Sequence, residues 1–384
     1  MSLDAIHEVV SGLRPLSRID HPREMIRQFT PNWFAATMGT GILALVLPQL
    51  PFVGPSLYRL GEGLWMFNIA LFVLFAGLYS ARWAMFPREA RRIFGHSVVS
   101  MFIGTIPMGL ATIVNGFLVF GSARLGASAV TIAETLWWID VVMAVSCGVV
   151  IPYLMFTRQE HSIDQMTAVW LLPVVAAEVA AASGGLLAPY LAGAHGKFFV
   201  LILSYVLWAY SLPVALGILA ILVLRMALYK LPPRSMAASS WLALGPLGTG
   251  ALGLILLGGD APGILGARGM AEVGAVAQGI GLIGGILLWG YGLWWLLLAA
   301  LITIGYFGEK VPFNLGWWGY IFPLGVYTAV TLKLGVLLHI GAFSAIGAVL
   351  ALALGTMWIM VGARTVQGGW RGNLFVSPCI ATPL

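Results

Sequence analysis

Phe322-Pro323-Leu324-Gly325 is a four-residue stretch near the start of an apolar run, and two earlier apolar runs repeat its pattern. They read Ile106-Pro107-Met108-Gly109 and Gly245-Pro246-Leu247-Gly248. Two further runs carry an early proline, Pro31 and Pro173, so that the five prolines in chain order are separated by 76, 66, 73 and 77 residues. A regular period of this length indicates a fold built from one repeated unit.

Lipid is the main solvent that this composition requires. Hydrophobic residues make up 60% of the 384 residues and charged residues only 9%, whereas a soluble domain has about 25% charged residues. Ten apolar runs are long enough to cross a bilayer, since a membrane helix needs about 20 residues. These runs cover residues 33–50, 64–84, 97–120, 130–156, 166–188, 197–225, 241–259, 272–304, 317–338 and 342–363.

The repeat and the ten runs together predict an all-α polytopic membrane protein, with ten transmembrane helices arranged as five parallel helical hairpins around a central pore. Proline removes a backbone donor and kinks a helix, and freed carbonyls at membrane depth need protein or water as partners. We therefore expect the odd-numbered helices to be kinked and to line the pore, with the even-numbered helices outside; prolines that serve packing alone are the alternative. Residues 1–32 form an N-terminal segment in this prediction, 33–363 the transport domain and 364–384 a C-terminal tail.

The basic residues separate into two sets when they are assigned to alternating sides of ten spans. Fifteen fall on one side and four on the other, which predicts that both termini are cytoplasmic in a bacterial-type inner membrane. The net charge of +6 therefore reflects short loops and predicts no nucleic-acid partner. Tryptophans near span ends, such as Trp65 and Trp318, are predicted to anchor at the membrane interface. The fifteen are Arg14, Arg18, Arg23, Arg27, Arg82, Arg88, Arg91, Arg92, Arg158, Arg225, Lys230, Arg234, Lys310, Arg364 and Arg371, and the four are Arg59, Arg124, Lys197 and Arg268.

Patterns for enzymatic chemistry are missing or misplaced in the sequence. There is no Walker A pattern, and the two G-x-G-x-x-G matches, at 248–253 and 279–284, lie in membrane runs where glycine permits close helix packing. The six histidines are scattered, and Cys147 and Cys379 lie in unlike settings, so we predict no metal site, no disulfide and no cofactor. A membrane enzyme, and a scaffold or sensor without flux, are the alternatives from other functional classes.

Three charged residues lie inside the spans, namely Asp140, Glu178 and Lys333. Each costs about 2.5 to 3.5 kcal/mol at a helix centre, which makes an idle lipid-facing charge improbable. Lys333 follows Phe322 by eleven residues, which places both within about 20° of one helix face and roughly 16 Å apart along the axis. A cation inside a pore attracts anions, and a buried pair of Lys333 with Glu178 or Asp140 is the structural alternative.

Other side chains of the odd-numbered runs are candidates to line the pore. Phe322 beside its proline is a candidate for a hydrophobic gate, although a membrane phenylalanine usually serves packing. Hydroxyl groups on the same runs can replace water around an anion. The pore-lining candidates are Pro107, Pro173, Pro246, Pro323, Thr37, Thr112, Thr249 and Thr328.

Three stretches of the chain resemble a known family. Residues 29–52, FTPNWFAATMGTGILALVLPQLPF, look like the first helix of the tellurite-resistance/dicarboxylate transporter family. Residues 170–189, WLLPVVAAEVAAASGGLLAP, and 317–335, WWGYIFPLGVYTAVTLKLG, look like its fifth and ninth helices. The resemblance extends over essentially the whole chain and implies ten helices in five hairpins around a pore, often in a homotrimer.

The resemblance also implies an activity. It identifies Phe322 as the phenylalanine that plugs the pore and implies transport of a small anion, for which we expect a C4-dicarboxylate such as malate. Sulfite efflux and a halide- or nitrate-selective channel remain open. The first-helix motif is similar to the sulfite and dicarboxylate members rather than to the plant slow anion channels.

Overall fold

A computed structural model describes residues 15–17, 19, 21–51, 54–306, 308 and 311–381. Its described residues are almost entirely helical and contain no strand. Each of the ten predicted runs forms a helix, and four short described helices, Pro22–Arg27, Pro87–Arg91, Ser122–Leu125 and Pro378–Ala381, lie outside the runs. The ten are α1 (Phe34–Val46), α2 (Pro55–Met85), α3 (Thr105–Gly116), α4 (Ala127–Thr157), α5 (Leu172–Leu187), α6 (Ala194–Tyr229), α7 (Leu244–Gly266), α8 (Ala271–Gly305), α9 (Ile321–Leu338) and α10 (Gly341–Arg371).

Helix α1 differs from the other nine. Within the described ranges, nine helical segments are long and apolar enough to cross a membrane, and α1 is not among them. It has 13 residues, with one 3₁₀ turn at each end, Pro31–Trp33 and Leu47–Gln49. All of its residues are buried. Because none of them faces lipid, this helix carries glycine and threonine at positions where a lipid-facing helix would need large apolar side chains.

The odd-numbered helices form an inner ring and the even-numbered helices an outer ring. In the most apolar window of α5, 94% of the residues are buried, whereas the corresponding value for α2 is 17%. Each inner helix packs against the next, from α1 through α3, α5, α7 and α9 and back to α1, so that the ring is closed. Each outer helix lies in the groove between the inner helix of its own hairpin and the following inner helix. This arrangement confirms the predicted division into odd and even helices.

Close backbone approach holds the inner ring together at positions that only glycine fits. A Cβ atom on Gly104 would lie 2.3 Å from the carbonyl oxygen of Leu172, where α3 meets α5. A Cβ atom on Gly325 of α9 would lie 2.5 Å from Ile42 of α1, at the contact that closes the ring. Small residues of this kind are the usual means by which membrane helices approach closely.

The repeated prolines start the inner α-helices, so the prediction that they kink these helices is wrong. A 3₁₀ segment precedes each inner helix, and Pro107, Pro173, Pro246 and Pro323 each occupy the second or third residue of the α-helix that follows. In the first turn the missing N–H would have no intrahelical partner, so proline is tolerated there. The prolines inside helices are Pro152 of α4, Pro213 of α6 and Pro262 near the end of α7.

A second fivefold repeat joins the two rings. One tryptophan on each outer helix donates its indole N–H to the following inner helix, at 2.9 to 3.2 Å. The donor and acceptor pairs are Trp65 to the Ile113 carbonyl, Trp137 to the Ala180 carbonyl, Trp208 to the Gly250 carbonyl, Trp289 to Thr331 Oγ1, and Trp358 to Thr40 Oγ1. Interfacial anchoring is therefore wrong for Trp65, and also for Trp318, which is buried and donates to Thr365 Oγ1.

The helix ends differ from the predicted boundaries in two respects. Helix α8 is continuous over 35 residues, without a break at its glycines, and α10 continues past residue 363 to Arg371. Two arginines of the predicted cytoplasmic set are buried: Arg82 donates to the Phe29 carbonyl and to Ser377 Oγ, and Arg225 donates to the Asp164 and Lys230 carbonyls. Arg14, Arg18 and Lys310 of that set lie outside the described residues.

Candidate functional site

A cavity of about 450 Å³ lies at the C-terminal ends of the inner helices. All five inner helical segments contribute to its wall, and Lys333 of α9 is among the lining residues, together with Gln49 and Asn115. The side-chain oxygen Oδ1 of Asn115 is buried and has no hydrogen-bond partner among the described residues. We call this space the outer cavity. Its remaining lining residues are Ile42, Leu45, Pro48, Val119, Ala182, Leu186, Leu252, Leu256, Ala329, Leu332 and Val336.

A second cavity, of about 440 Å³, lies at the opposite ends of the same helices. Residues from the N-terminal segments of all five inner spans line it, among them Asn32, Phe102, Val169, Ser239 and Gly316. The C-terminal segment also contributes, through residues 373–374, 376 and 378. We call this space the inner cavity. Because the five helices are parallel, the two cavities lie at the two ends of one ring.

Phe322 lies on the stretch of α9 between the two cavities. It follows Gly316, which lines the inner cavity, and precedes Ala329, which lines the outer cavity. Ala329 and Lys333 come seven and eleven residues after Phe322 in one unbroken α-helix, which puts all three within about 20° of the same face. The phenyl side chain is 3% exposed. The helix therefore carries Phe322, Ala329 and Lys333 along the face that lines the outer cavity.

Lys333 is not joined to either of the acidic partners suggested by the sequence. The ion pairs within 4.0 Å among the described residues are Arg27 with Glu24 and with Glu89, and Arg124 with Glu62. Instead, the carboxylate within electrostatic range of Lys333 is Asp260, near the end of α7, which also interacts with Lys197. Oδ2 of Asp260 is buried, and the described part of the chain offers it no hydrogen-bond partner.

Glu178 lies at the contact between α5, α6 and α7. Its Oε2 accepts a hydrogen bond of 3.2 Å from Ser211 Oγ of α6. Its Oε1 lies against Gly250 of α7, where an added Cβ would be 2.8 Å away, and no described residue forms a hydrogen bond with it. The side chain is fully buried and does not line either cavity.

Asp140 of α4 is also fully buried, and neither carboxylate oxygen has a hydrogen-bond partner among the described residues. It follows Trp137 by three residues, as Asn68 follows Trp65 and Ser211 follows Trp208 in the preceding and following hairpins. Asn68 and Ser211 both hydrogen-bond to residues of the inner ring. Asp140 thus occupies the same place in the repeat, facing the inner ring from outside.

The four threonines named from the sequence have different surroundings. Thr37 Oγ1 lies against Gly109, and Thr112 Oγ1 lies against Gly41 and accepts from Asn68 Nδ2 at 3.2 Å, which are contacts of helix packing. Thr328 donates to the Leu324 carbonyl at 2.7 Å. Thr249 is buried, has no partner for its hydroxyl within the part of the chain that the structure describes, and precedes the cavity-lining Leu256 by seven residues. It therefore shares a helix face with that residue. Their assignment to the pore stays a prediction for all four, and the geometry favours Thr249.

Sequence reasoning missed Asp260 and Asn115. Asp260 follows Gly258-Gly259, where the predicted span ended at 259, so it was assigned to a loop instead of to α7. Asn115 carries no charge, and only its position one turn before the end of the apolar run 97–120 could have suggested an axial role. Within the described ranges, no three His, Cys, Asp or Glu side chains are grouped so that they could hold a metal ion.

His96 is the titratable residue at the wall of the inner cavity among those described. Its Nδ1 accepts hydrogen bonds from the amides of Val98, at 3.1 Å, and Val99, at 3.2 Å. Burial lowers the pKa of the imidazole below its usual value. The ring is therefore held as a neutral acceptor at physiological pH.

Comparisons with known proteins agree with this architecture. Residues 28–366 match the family described as SLAC1, voltage-dependent anion channel. The chain is 36% identical over 353 residues to a sulfite efflux pump of Arthroderma otae, covering 91% of this chain and 93% of that protein. It is 30% identical to an uncharacterised transporter of Methanocaldococcus jannaschii, over 92% and 96% of the two chains. It is 24% identical to a malic acid transport protein of Schizosaccharomyces pombe, over 88% and 78%.

The family match begins before α1 and ends within α10, so it includes the whole inner ring. The resemblance expected from residues 29–52, 170–189 and 317–335 is thereby confirmed. The chain is a multi-pass membrane protein and belongs to the SLAC1 family of anion channels and transporters, the family also called tellurite-resistance/dicarboxylate transporters.

Proposed function

We propose that this protein carries sulfite, or a closely related small oxyanion, across the membrane through the centre of its inner ring, and that Phe322 closes the path. The observation that carries the proposal is the pair of cavities at the two ends of the ring, with Phe322 on the helix stretch between them. A hydrophobic side chain at such a constriction blocks ions because water is expelled from it.

The electrostatics of the two ends favour anions. The 3₁₀ segments that lead into all five inner helices line the inner cavity, and the N-terminal ends of helices carry a partial positive charge. Lys333 supplies a full positive charge at the outer cavity, where Asn115 and Gln49 add polar groups. The unpartnered hydroxyl of Thr249 lies on the face that leads from one cavity to the other, where it can replace a water molecule around the ion.

We propose sulfite instead of malate as the substrate because of the sequence identities to the relatives. Those named as sulfite efflux pumps reach 36% identity, whereas the malic acid transport protein reaches 24%. Malate, which the sequence patterns favoured, remains the second candidate, since that relative matches over 88% of this chain.

The remaining expectations concern the setting of the protein. We retain the bacterial-type inner membrane, the cytoplasmic placement of both termini and the homotrimer as parts of the proposal. In this orientation the inner cavity faces the cytoplasm, and the net flux of sulfite would run outward.

Flux through purified protein in liposomes tests the gate. Phe322→Ala is expected to raise sulfite flux at least tenfold, because removal of the ring allows water to enter the constriction. Two phenylalanines provide matched controls: Phe156 of α4 is 81% exposed on the outer ring, and Phe120 is fully buried against Trp65. Phe156→Ala and Phe120→Ala are expected to leave the flux within about twofold of the parent.

Two results would contradict the proposal. If Phe322→Ala passes no anion while remaining folded, there is no axial path. If Phe120→Ala raises the flux as much as Phe322→Ala does, the increase arises from general loosening of the helices and not from an opened gate.

A further inference from the structure

We propose that a polar cavity beside the inner cavity binds a nucleotide, with the phosphates at Arg92 and Arg158 and the base against Trp170. The proposal goes beyond anion transport, because such a site needs no path through the ring. It is carried by hydrogen-bond donors that line this cavity and that the fold leaves unused, and by an aromatic side chain in the space that continues from it. We call the polar cavity the side cavity.

The side cavity has a volume of about 780 Å³. It lies between the segment that joins α2 to α3 and the segment that joins α4 to α5, and it shares His96 with the inner cavity. Another cavity, of about 540 Å³, has five lining residues in common with it, so the two spaces are continuous. Binding sites for organic ligands usually enclose about 300 to 1,000 Å³. The side cavity is therefore large enough for an organic ligand.

Most polar side chains of the side cavity have no partner in the fold. Two guanidinium groups, two hydroxyl groups and one amide line it, and none of the five forms a hydrogen bond or an ion pair with another residue in the described part of the chain. They belong to Arg92, Arg158, Ser97, Ser162 and Gln165. All of these groups can donate hydrogen bonds, so one space holds the donor set that an oxygen-rich anion requires.

His96 adds a donor whose identity the fold fixes. Its Nδ1 accepts hydrogen bonds from the amides of Val98 and Val99, so the neutral ring carries its proton on Nε2. Nε2 is left as a donor, and the ring lines both the side cavity and the inner cavity. A ligand that accepts from this nitrogen would contact a side chain that also borders the inner cavity.

The charges of the side cavity favour a phosphate group. Each guanidinium can donate two parallel hydrogen bonds to the oxygens of one phosphate, a geometry that suits arginine. Glu160 is the acidic residue among the described residues of this wall, and it competes with the ligand for Arg92 and Arg158. A ligand with several negative charges overcomes this competition better than a single oxyanion does. In the proposed orientation the side cavity faces the cytoplasm, the compartment of nucleotides.

An aromatic surface in the continuous space favours a nucleotide over a simple phosphate. Trp170 lines the cavity of about 540 Å³ and is half-buried. His161 lines both spaces and meets the indole edge to face, with ring centroids 5.1 Å apart and planes at 82°. Nucleobases stack on aromatic side chains with little dependence on which base is present. The wall at Trp170 thus suits the base, while the two arginines suit the phosphates.

A bound nucleotide would act on transport through the wall that the two cavities share. The amides that His96 holds lie at the start of the 3₁₀ segment Val99–Gly104, which leads into α3. Phosphates at the side cavity place negative charge beside this wall and repel anions that enter the inner cavity. This consequence rests on the proposed function, whereas the binding itself does not.

Equilibrium binding to the purified full chain in detergent, with ATP as the probe, tests the site without any transport. Saturable binding with a Kd below about 1 mM is expected. Tripolyphosphate and adenosine are each expected to bind at least about tenfold more weakly, because each keeps only part of the contacts. Absence of saturable ATP binding would overturn the site. Equal affinity for ATP and tripolyphosphate, or displacement of ATP by vesicles of an anionic phospholipid, would overturn the nucleotide as its ligand.

Neutral replacements of the arginines assign the binding to the side cavity. Arg92→Gln and Arg158→Gln are each expected to weaken ATP binding about tenfold, since each removes charge-assisted hydrogen bonds. Arg88→Gln is the matched control, because Arg88 is exposed on the same connecting segment and lines neither cavity. It is expected to change the affinity by less than about twofold. Equal losses in all three variants would indicate general attraction to a basic surface and overturn the site.

Gly95 allows the side cavity to be blocked without removal of a donor. It lines the cavity, and an added Cβ there meets no atom within 4 Å. Gly95→Ala is therefore expected to keep ATP binding, whereas Gly95→Glu adds a carboxylate and is expected to weaken binding at least about tenfold. Glu160→Gln is expected to tighten binding several-fold, because it removes the competing charge. Equal affinities of the alanine and glutamate variants would contradict the proposed place of the phosphates.

The binding and flux experiments separate this proposal from the proposed function. ATP on the side of the inner cavity is expected to lower sulfite flux in liposomes by at least about half, and to have no effect on Arg92→Gln at the same concentration. Equal inhibition of both proteins would overturn the action through the side cavity. A protein that carries sulfite but binds no ATP refutes the nucleotide site alone. A protein that binds ATP but passes no anion, even as Phe322→Ala, refutes the proposed transport and leaves the site standing.

Discussion

The inner and outer helices are almost equally apolar, yet they occupy opposite environments. The most apolar windows of α2 and α5 have the same mean hydropathy, but 17% of the residues are buried in the first and 94% in the second. The difference lies in side-chain size and in polar contacts. The inner helices meet through glycines such as Gly104 and Gly325, whereas each outer helix presents large apolar side chains to lipid and at least one tryptophan to the ring.

The comparison shows that hydropathy alone locates helices in the membrane but does not place them in the fold. Small residues identify a helix that must approach others closely, because lipid offers no hydrophobic drive for helix association. If this interpretation is correct, the same type of substitution must lower stability more in contacts of the inner ring than at lipid-facing positions of the outer ring. The following variants measure that difference.

The largest difference in stability is expected between two glycine-to-alanine substitutions. Gly104→Ala places a methyl group 2.3 Å from a backbone oxygen of α5, so the inner helices must separate, at a cost of about 3 kcal/mol. Gly217→Ala on the exposed face of α6 meets no atom within 4 Å and should be neutral or slightly stabilising. Thermal unfolding in detergent measures both, and equal melting temperatures would show that ring contact does not limit stability.

Adjacent tryptophans of α4 provide a second comparison, for which the expected difference in stability is smaller. Trp137 is fully buried and donates to the Ala180 carbonyl, while Trp138 is 37% exposed. Trp137→Phe leaves a buried carbonyl without its donor and is expected to cost about 1 to 3 kcal/mol. Trp138→Phe is expected to change stability by less than about 0.5 kcal/mol. A larger loss from Trp138→Phe would mean that lipid contact, and not the bond between the rings, stabilises this helix.

The smallest expected effect concerns pH at the entrance of the inner ring. The pKa of His96 is lowered by burial from an ordinary value of 6.5, so the unfolded chain binds its proton at higher pH than the folded one. Stability contributed by neutral His96 is therefore present above pH 6.5 and is lost as the pH falls from there towards the lowered pKa. Burial also lowers the pKa of His161, which adds to the same slope.

His96→Asn isolates the contribution of this residue. Asparagine keeps an acceptor for the amides of Val98 and Val99 but does not titrate, so the variant is expected to lose less stability than the parent between neutral and mildly acidic pH. The difference should be below about 1 kcal/mol. Parallel melting curves of the two proteins across this range would show that His96 takes up its proton equally in the folded and unfolded chains.

The spacing of five prolines was enough to predict five hairpins and to place the odd-numbered helices inside. The physical role assigned to the prolines was wrong, because spacing does not reveal that four of them follow a 3₁₀ segment and lie in the first turn of an α-helix. Pro31 begins the 3₁₀ turn that leads into α1. The direction of a side chain around its helix was equally inaccessible: spacing could not show that Thr37 lies against Gly109 and Thr112 against Gly41.

Within the site, Lys333 and Phe322 were placed on one face by their eleven-residue separation, and the continuous helix α9 bears that geometry out. Asp260 was missed because two glycines precede it and the predicted apolar run was ended at residue 259. The tryptophan repeat was missed for a different reason: an indole at a span end and an indole bonded to a neighbouring helix have the same sequence signature, and only the neighbour distinguishes them.

Each outer helix is bonded to the inner helix of the next hairpin, and the last of these bonds, from Trp358 to Thr40, joins residues 318 apart in sequence. The first helix emerges from the ribosome before any of its closing partners has been made. Helix α1 must therefore remain in the membrane, with some of its glycines and threonines not yet packed against neighbouring helices, until α10 has been synthesised. Loss of the final helix would leave Thr40 of the first helix without the indole that donates to it.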